Sequence, residues 1–362
     1  MLKVLAHFSV LADPRAANAR HELSEIMFIA IAATLAGAKT CVEMVEFGVA
    51  KEALLRTVLE LPHGVPSHDT FSTVFRTLDP TAFAEIFAKF ASAFGTAINK
   101  DDVVAVDGKA MKRAYEKGKQ SAPRMMVTAW GAEARMSLAA KPVVKGDETN
   151  AAIEMLANLD IKGAIITGDA LHCNRKMART IVDGGADYVL PIKGNQDSLL
   201  SDARAKIGAA KKPSMASTED EDHGRIETRR AVVVAAGNLG EHHEFTGLKA
   251  IGMIESTRAI DGKIQTFVHY FALSRRFKPA ELLRIKREHW GIENRLHWQL
   301  DVVLDEDMSR TRKDNGPDNL AMLRRLALNI ARADKTKGSL AGKLRKAAWN
   351  DDALVKMLSQ MR

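Results

Sequence analysis

The chain has 362 residues, of which 46% are hydrophobic and 27% are charged. This composition excludes a globally disordered protein, and the length is enough for about two globular domains. The only two cysteines, Cys41 and Cys173, lie far apart, which excludes a disulfide scaffold and argues against a cysteine-based zinc site. Neither a run of ~18 apolar residues nor a secretory signal is found, so we expect a cytoplasmic protein with no membrane partner.

Positive charge is concentrated in the last quarter of the chain. The net charge is +8, and residues 275–362 contain 20 Lys or Arg against 12 Asp or Glu, so this part accounts for the whole excess. A basic segment on a neutral body favours a polyanionic partner, of which nucleic acid is the first candidate. An ordinary basic soluble surface would have the same composition.

Residues 1–98 are predicted to form a small all-helical domain. Apolar residues recur at helical spacing over 21–60, where Ser24 or Asn18 is the expected N-cap. Further helices before residue 98 make about four in all. No cluster of catalytic residue types occurs here, so we expect this domain to bind DNA, to dimerise or to support the domain that follows.

A change of periodicity after residue 98 predicts a second domain over 99–333. Its first half contains strand, strand, strand, helix, strand, helix and strand, in the segments 102–106, 124–130, 136–144, 149–159, 164–167, 174–183 and 187–192. This order is that of a ribonuclease-H-like mixed α/β sheet.

A β-rich insertion is predicted within this domain, over about 197–274. It starts with a helix over 198–210 and a polar segment over 211–224, which is expected to be a loop. Three β-rich segments follow at 229–235, 249–256 and 265–273. Asp261-Gly262 is a strong hairpin signal between the last two.

Helices are predicted for most of the remaining chain. One long helix covers 279–300 and another covers 318–333, with a break between them at Gly316-Pro317. The basic C-terminal tail, 334–362, is expected to hold one short helix near its end.

Two aspartates stand at the ends of predicted strands. Asp107 ends the first strand in Val-Asp-Gly-Lys, and Asp169 ends another in Ile-Thr-Gly-Asp-Ala. If these strands are parallel neighbours, both carboxylates meet at one edge of the sheet, where open sheets hold their ligand sites. Each residue taken alone could instead belong to an ordinary turn.

A third acid, Glu293, lies in an unusual helical segment. His289, Trp290, His297 and Trp298 flank it, so two of the four tryptophans lie within nine residues. Such a segment is either packed core or part of a site. Three carboxylates at one place would repel each other and raise each other's pKa unless cations compensated them.

Two Mg²⁺ or Mn²⁺ ions would provide this compensation, because hard divalent cations prefer carboxylate oxygens. A pair of ions about 4 Å apart suits in-line displacement at phosphorus. Asp107, Asp169 and Glu293 are therefore the candidate catalytic and metal-binding residues.

Several motifs of the chain are long and specific. They are VAVDGK, ITGDALH, ADYVLPIKGNQ, HWGIENRLHWQLDV and RRLALNIAR, and in the first domain LSEIMFIAIAATLAGA and VPSHDTFSTVFRTLDP. Together they resemble the H repeat-associated transposases, which are insertion-sequence enzymes of the DDE type. The resemblance covers almost the whole chain. It implies a helical N-terminal domain and a ribonuclease-H-like catalytic domain with a β insertion before the last acid.

The same resemblance implies a function. It assigns the three acids to Asp107, Asp169 and Glu293, and implies metal-dependent cleavage at terminal inverted repeats followed by strand transfer into target DNA. Two ions per active site would serve both steps. Double-stranded DNA is the implied partner, in the prokaryotic cytosol at the nucleoid. We expect a homodimer, because two element ends must be joined.

The chain departs from a pattern of related cut-and-paste transposases around the last acid. That pattern is Tyr-x-x-Arg-x-x-x-Glu-x6-Lys, and this chain has Lys286 for the Tyr, His289 for the Arg and Leu300 for the Lys. The phosphate contacts of those positions are therefore not carried over. A His-Trp pair at this point is expected of the H repeat-associated group.

Six residues are predicted to contact DNA: Lys193, Asn195, His289, Trp290, Arg310 and Arg312. Lys193 and Asn195 follow a strand and either touch phosphates or form a solvated turn. Arg310 and Arg312 either clamp phosphates or belong to an ordinary loop. For Trp290, a place in the core is favoured over stacking on a base.

Parts of the sequence are compatible with three other functions. His289, Glu293 and His297 share a helical face and could hold zinc, but the HExxH order is absent. An aspartyl phosphatase would need a second acid two residues after Asp107, where Lys109 stands. A DNA-binding relic that no longer cuts DNA is the remaining alternative, although all three acids and both flanking domains are present.

Overall fold

A computed structural model describes residues 6–94, 98–115, 123–143, 146–222, 225–260 and 263–360. Its N-terminal part is helical, as predicted. The helices are α1 (Leu23–Leu35), α2 (Cys41–Ala50), α3 (Glu52–Leu55), α4 (His68–Thr77) and α5 (Pro80–Ala93). The predicted turn at Asp261-Gly262 lies outside the described residues.

Most of these helices begin at a short polar side chain. Thr40, Ser67 and Asp79 each accept a hydrogen bond from a backbone N–H in the first turn of α2, α4 and α5 respectively. The expected cap of α1 at Ser24 or Asn18 is wrong, because this helix begins after Glu22 without a side-chain cap. Every residue of α1 except Ser24 is buried, so packing stabilises this helix without a cap.

Nine strands form one mixed sheet in the order β3-β2-β1-β4-β5-β9-β8-β7-β6. They are β1 (Val103–Ala110), β2 (Met125–Gly131), β3 (Met136–Val143), β4 (Ile165–Gly168), β5 (Asp187–Ile192), β6 (Ser214–Asp222), β7 (Arg225–Ala235), β8 (Ala250–Ile260) and β9 (Lys263–Leu273). Helices α6 (Glu148–Ala157) and α7 (Arg175–Asp183) precede β4 and β5. The expected mixed α/β fold is confirmed.

The parallel pairing of β1 with β4 positions Asp107 and Asp169. The predicted end of the first strand at Asp107 is wrong, because β1 continues to Ala110 in its pairing with β2. Val106 of β1 is paired with Gly168 of β4, so Asp107 and Asp169 come next on adjacent strands. Parallel strands present their carboxyl ends at the same edge of a sheet. The strand pairing therefore brings the two aspartates to one place.

The β-rich insertion extends the sheet and does not form a separate layer. It begins with α8 (Asp197–Gly208), and α9 (Leu239–His242) lies between β7 and β8. Strand β9 pairs antiparallel with β5, and β8, β7 and β6 follow outward. The predicted loop over 211–224 is wrong for residues 214–222, which form β6, and residues 223–224 lie outside the described residues. This strand lies at the sheet edge, where polar residues on both faces are tolerated, and its Asp220 contacts Arg229 of β7 at 2.7 Å.

Helices cover most of the chain after the sheet. They are α10 (Pro279–His289), α11 (Trp298–Val302), α12 (Gly316–Ala333), α13 (Leu340–Trp349) and α14 (Asp351–Leu358), with a π-helical segment (Ile292–His297) between α10 and α11. The predicted break at Gly316-Pro317 is wrong, since both residues belong to the first turn of α12, where proline is well tolerated. No helix in the described part of the chain is long and apolar enough to cross a membrane.

The N-terminal and C-terminal helices share one hydrophobic core. Ile26 of α1 is buried in the same cluster as Leu326 of α12 and Leu354 of α14. Helix α12 is buried over almost its whole length and contacts α1, α4 and α5. The predicted units 1–98 and 334–362 therefore both pack against α12, and both cover its apolar surface.

Candidate active site

Asp107 lies on β1, just beyond its last residue paired with β4. Its carboxylate accepts a hydrogen bond from the backbone N–H of Gly108 at 2.9 Å. Burial, the charge of Asp169 and the charge of Glu293 raise the pKa of Asp107 to about 7. The anionic form of this carboxyl group is thus poorly stabilised by the protein alone, which favours an added cation.

Asp169 follows β4 and begins a short 3₁₀ turn. One of its carboxylate oxygens, Oδ1, accepts hydrogen bonds from the backbone N–H groups of Leu171 (2.9 Å) and His172 (3.3 Å). The side chain is 52% exposed. The turn therefore orients the Asp169 carboxylate at the sheet edge while leaving it open to solvent.

Glu293 lies in the π-helical segment between α10 and α11, and its side chain is exposed. Ile292 and Leu296 of the same segment are fully buried, so they fix the segment against the core. The charge of Glu293 acts on Asp107 from this helix, while that of Asp169 acts from the neighbouring strand. A π-turn adds one residue to a helix and occurs frequently at functional sites.

The three acids lie near one another without forming a closed cluster. Among the residues that the structure describes, one group of three ligand-type side chains has its ligand atoms within 4.8 Å of one another, and it lies elsewhere. Repulsion between uncompensated carboxylates opposes a tighter arrangement. The donors are all carboxylate oxygens, which suits a hard divalent ion such as Mg²⁺ or Mn²⁺.

His297 faces Asp107 from the helix. Its Nδ1 lies 3.7 Å from Oδ2 of Asp107, and its Nε2 is buried without a hydrogen-bond partner among the described residues. Burial lowers the pKa of His297 to about 3, so the ring is neutral near pH 7. His297 is therefore a polar neighbour of Asp107 and does not neutralise its charge.

Lys109, which sequence reasoning did not assign to the site, connects β1 to the helix that carries the third acid. It lies two residues after the first acid and is only 7% exposed. Its Nζ lies 2.7 Å from Asp301 of α11, 3.0 Å from Asp307 and 3.5 Å from Glu306. A lysine in an otherwise apolar strand was the signal that could have identified it.

A second cation completes this buried network. Arg325 of α12 lies 2.9 Å from Glu306 and donates a hydrogen bond to Thr128 of β2 at 3.2 Å. Burial opposes ionisation of Glu306, but the charges of Arg325 and Lys109 outweigh it and lower the pKa of Glu306. The network therefore connects β1, β2, α11 and α12, and it begins two residues after Asp107.

His289 is predicted to contact DNA, but its ring is enclosed between α10 and the sheet. The residue is 7% exposed, and Nδ1 lies 3.0 Å from Oγ1 of Thr167 on β4. Burial, with the charges of Lys286 and His172, lowers the pKa of His289 to about 3. His289 instead connects the helix to the strand that leads to Asp169.

Trp290 lies in a basic cleft between α10 and strands β7–β9. The ring is half-buried, and three cations surround it: Lys286 at 5.5 Å, Arg229 at 5.8 Å and Arg258 at 5.9 Å from the ring centre. The cleft has a volume of about 260 Å³. Its cations come from segments distant in sequence, so the sequence could not identify it as a cluster.

Lys193 and Asn195 lie in the loop after β5 and are exposed. The Asn195 side-chain amide donates a hydrogen bond to the carbonyl of Ala170 at 2.7 Å, so this loop contacts the turn that begins at Asp169. Burial, Lys286 and Lys193 together lower the pKa of His269, a residue of the basic cleft. Asn195 thus lies beside the turn of Asp169, and the charge of Lys193 acts on that cleft.

Arg310 and Arg312 are exposed after α11. The guanidinium carbon of Arg312 lies 4.3 Å from the centre of the Tyr115 ring. Arg312 also donates hydrogen bonds to the Tyr115 hydroxyl at 3.0 Å and to the carbonyl of Arg113 at 2.9 Å. Arg312 therefore stabilises its loop, whereas Arg310 extends into solvent.

The zinc alternative gains no support. His289 faces Thr167, His297 faces Asp107, and Glu293 is exposed, so the three side chains do not converge on one point.

Leu300 is fully buried, which agrees with the absence of a phosphate contact at that position.

Two family models match the chain. The model for the transposase DDE domain matches residues 98–330, and the DDE_Tnp_1-associated model matches residues 5–91. The protein YbfL of Escherichia coli K12 is 31% identical over 99% of this chain and 98% of its own length. The H repeat-associated putative transposase YhhI of the same strain is 30% identical over the same shares. A protein of the dhlA 3′ region of Xanthobacter autotrophicus is 37% identical over 75% of this chain and 94% of its own length.

Proposed function

Since this chain belongs to the DDE transposases, among their H repeat-associated members, we propose that it cuts DNA at the terminal inverted repeats of an insertion sequence and joins the cut ends to target DNA. Membership confirms the expected ribonuclease-H-like catalytic domain. It also makes the protein a DNA-processing enzyme that uses divalent metal. The cleavage and strand-transfer steps and the residues that perform them are the proposal.

The raised pKa of Asp107 is the observation that supports the active site best. This carboxyl group is partly buried, and the charges of two further acids, one from a neighbouring strand and one from a helix, act on it. Such an arrangement is unfavourable in the protein alone and becomes favourable when cations bind. We therefore assign Asp107, Asp169 and Glu293 as the ligands of two Mg²⁺ or Mn²⁺ ions.

Each acid would act from a different element. Asp107 from β1, Asp169 from the turn after β4 and Glu293 from the π-helical segment would together hold the ions. When bound, the ions would lower the pKa of the attacking water or 3′-hydroxyl and neutralise charge on the leaving oxygen. Lys109 would keep the helix of Glu293 at its distance from β1 through Asp301.

The DNA would lie across the exposed face beside these acids. Lys193 and Asn195 flank Asp169, and the Trp290 cleft contributes Lys286 and further cations from the sheet extension. Phosphate contacts by such cations supply affinity that falls with rising salt. We propose that Arg310 contacts phosphate and that Arg312 supports the loop that carries it.

A homodimer on DNA is part of the proposal, because the two ends of an element must be held together for joining. Analytical ultracentrifugation of the protein with element-end duplex tests this point. Two chains per pair of ends support it, and a stable single chain on both ends contradicts it.

The decisive experiment is cleavage of a labelled duplex that carries an element end and its flanking DNA. We expect wild type to nick this duplex with Mg²⁺ or Mn²⁺ and not with EDTA. Asp107→Asn, Asp169→Asn and Glu293→Gln should each lower the rate at least 10³-fold, on the order of a 4 kcal/mol loss of transition-state stabilisation. Each variant should still bind the duplex in a gel-shift assay.

Asp183→Asn is the matched control, because Asp183 is an exposed acid at the end of α7. It should cut as fast as wild type. If wild type binds the duplex but never cuts it with either metal, the enzyme proposal fails and the DNA-binding relic replaces it. If one acid variant cuts normally, that residue is not a metal ligand.

A further inference from the structure

A second group of ligand-type side chains lies in the sheet extension. Asp202 belongs to α8, and His242 and His243 are the last residue of α9 and the residue after it. Their ligand atoms all lie within 4.8 Å of one another. Among the described residues, no other three side chains of these types have their ligand atoms this close together. None of the three is one of the acids of the candidate active site, and none lines the basic cleft.

The geometry is close to that of a bound ion. Nε2 of His243 lies 2.8 Å from Oδ2 of Asp202, and the two histidine rings are 4.7 Å apart at an angle of 81°. Ligand atoms on a tetrahedral zinc ion lie roughly 3.3 Å apart, given bonds of about 2.0–2.1 Å. To bind zinc, Nε2 of His243 and Oδ2 of Asp202 therefore have to separate by about half an ångström. The exposed His242 also has to turn inward.

One histidine is buried and the other is exposed. His243 is 8% exposed, and its backbone carbonyl accepts a hydrogen bond from Nε of Arg175 at 2.8 Å. Arg175 also contacts Glu244 at 3.3 Å, so its positive charge is compensated. His242 is exposed on the surface. An ion at this site would therefore be open to solvent on the side of His242.

The donor set selects the class of ion. Two imidazole nitrogens and one carboxylate oxygen suit Zn²⁺ or a similar transition metal, with water as a fourth ligand. Mg²⁺ prefers oxygen ligands only, which the three acids of the candidate active site supply. The two groups would thus not compete for the same metal.

We propose that Asp202, His242 and His243 bind one divalent cation, Zn²⁺ or a similar transition metal, and that this ion connects α8 to α9. Helix α9 connects β7 to β8, and α8 leads into β6, so the ion would tie together the two connections of the sheet extension. The site is separate from the candidate active site, and the proposal does not depend on the proposed DNA cleavage.

Binding of Zn²⁺ to the full chain, freed of any affinity tag and treated with EDTA, tests the site. Calorimetric titration with Zn²⁺, with Mg²⁺ in large excess to occupy the three acids, should show one binding site. His242→Ala and Asp202→Asn should each weaken this site at least tenfold. Co²⁺ should give the visible absorption of a tetrahedral ion in wild type and not in these variants.

Two controls make the result specific. His68→Ala removes another exposed histidine, and Asp107→Asn removes an acid of the candidate active site; both should bind Zn²⁺ like wild type. Zinc should also raise the unfolding temperature of wild type but not of Asp202→Asn. The proposal is overturned if wild type binds no zinc, if both site variants bind it as tightly as wild type, or if Asp107→Asn abolishes binding.

Discussion

At the scale of single residues, two side chains of β1 have opposite electrostatic surroundings. Asp107 carries a charge that its surroundings disfavour, whereas Lys109 carries one that three acids compensate. They lie two residues apart on the same strand. Their opposite electrostatic situations lead to two different predictions.

The pH dependence of stability should reveal Asp107. Its pKa is about 7 in the metal-free fold and close to 3.8 when unfolded, so the folded state binds more protons between these values. Stability is therefore lost as the pH rises from about 4 to 7, an effect on the order of a few kcal/mol. Asp107→Asn has no carboxyl group that ionises, so its advantage over wild type should grow from pH 5 to pH 8.

Urea unfolding of both proteins in EDTA at the two pH values measures this difference. Asp183→Asn serves as the control and should differ from wild type equally at both. An advantage of Asp107→Asn that is the same at pH 5 and pH 8 would show that the Asp107 carboxyl group is not destabilised in the fold.

Removal of the buried lysine should cost far more than removal of an exposed one. Lys109→Met leaves Asp301, Glu306 and Asp307 without their shared cation, and we expect a loss of about 3–5 kcal/mol in unfolding free energy. Lys112 also contacts Asp307, at 2.5 Å, but is 74% exposed. Lys112→Met should cost less than ~1 kcal/mol. Equal losses in urea unfolding at pH 7 would refute the positioning role of Lys109.

At the scale of elements, the helical segment that runs from α10 to α11 contributes to both the candidate active site and the basic cleft. Its π-helical segment carries Glu293, its first part carries Trp290 in the basic cleft, and His289 fixes it to β4 through Thr167. The extra residue of the π-turn changes which side chains face the sheet on either side of it. The charge of Glu293 acts on Lys286 of the basic cleft, so the acid lies close to that cleft.

Replacement of Trp290 tests the cleft as a DNA contact. A base stacked on an aromatic ring contributes about 1–3 kcal/mol, so Trp290→Ala should weaken binding of an element-end duplex by roughly 5- to 150-fold. Trp349 on α13 is 74% exposed and lies outside the cleft, so Trp349→Ala is the matched control. Fluorescence anisotropy at fixed salt measures both. If the two variants bind equally well, Trp290 has a packing role only.

At the scale of the whole molecule, the chain is built around helix α12. The N-terminal helices, the C-terminal helices and part of the sheet pack on it in one cluster of buried side chains. Asn319 of α12 donates hydrogen bonds to the carbonyls of Phe75 and Leu78 at 2.9 Å. The flanking segments therefore complete the core of the catalytic domain.

The predicted catalytic unit 99–333 should accordingly not fold well alone. Without its neighbours, the face of α12 that contacts α1, α4 and α5 would be exposed to water, with Leu320, Leu323 and Ala327 among the uncovered side chains. We expect this fragment to aggregate or to unfold without a cooperative transition, while the full chain unfolds cooperatively. Circular dichroism with thermal and urea unfolding decides this. A cooperative, soluble fragment would show that the unit is independent.

Much of the fold was predictable because local periodicity reports local structure. The strands β1 to β5, the helices between them and the position of Asp169 just after β4 follow from runs of apolar residues and their spacing, whereas Asp107 lies inside β1 and not at its end. Edge strand β6 was missed for the same reason, since a polar strand has no apolar period to detect. The family followed from long motifs whose residues are contiguous in sequence.

Local sequence patterns thus predicted most element types and the basic character of the C-terminal part, and they indicated the three acids that we propose as the active site. Only the tertiary structure decided that β1 and β4 are parallel neighbours, that Lys109 faces Asp301 and that His289 is enclosed. It also decided that cations distant in sequence meet around Trp290. The physical reason is that burial and charge pairing depend on contacts between distant segments, whereas helix and strand periodicity is a property of neighbouring residues.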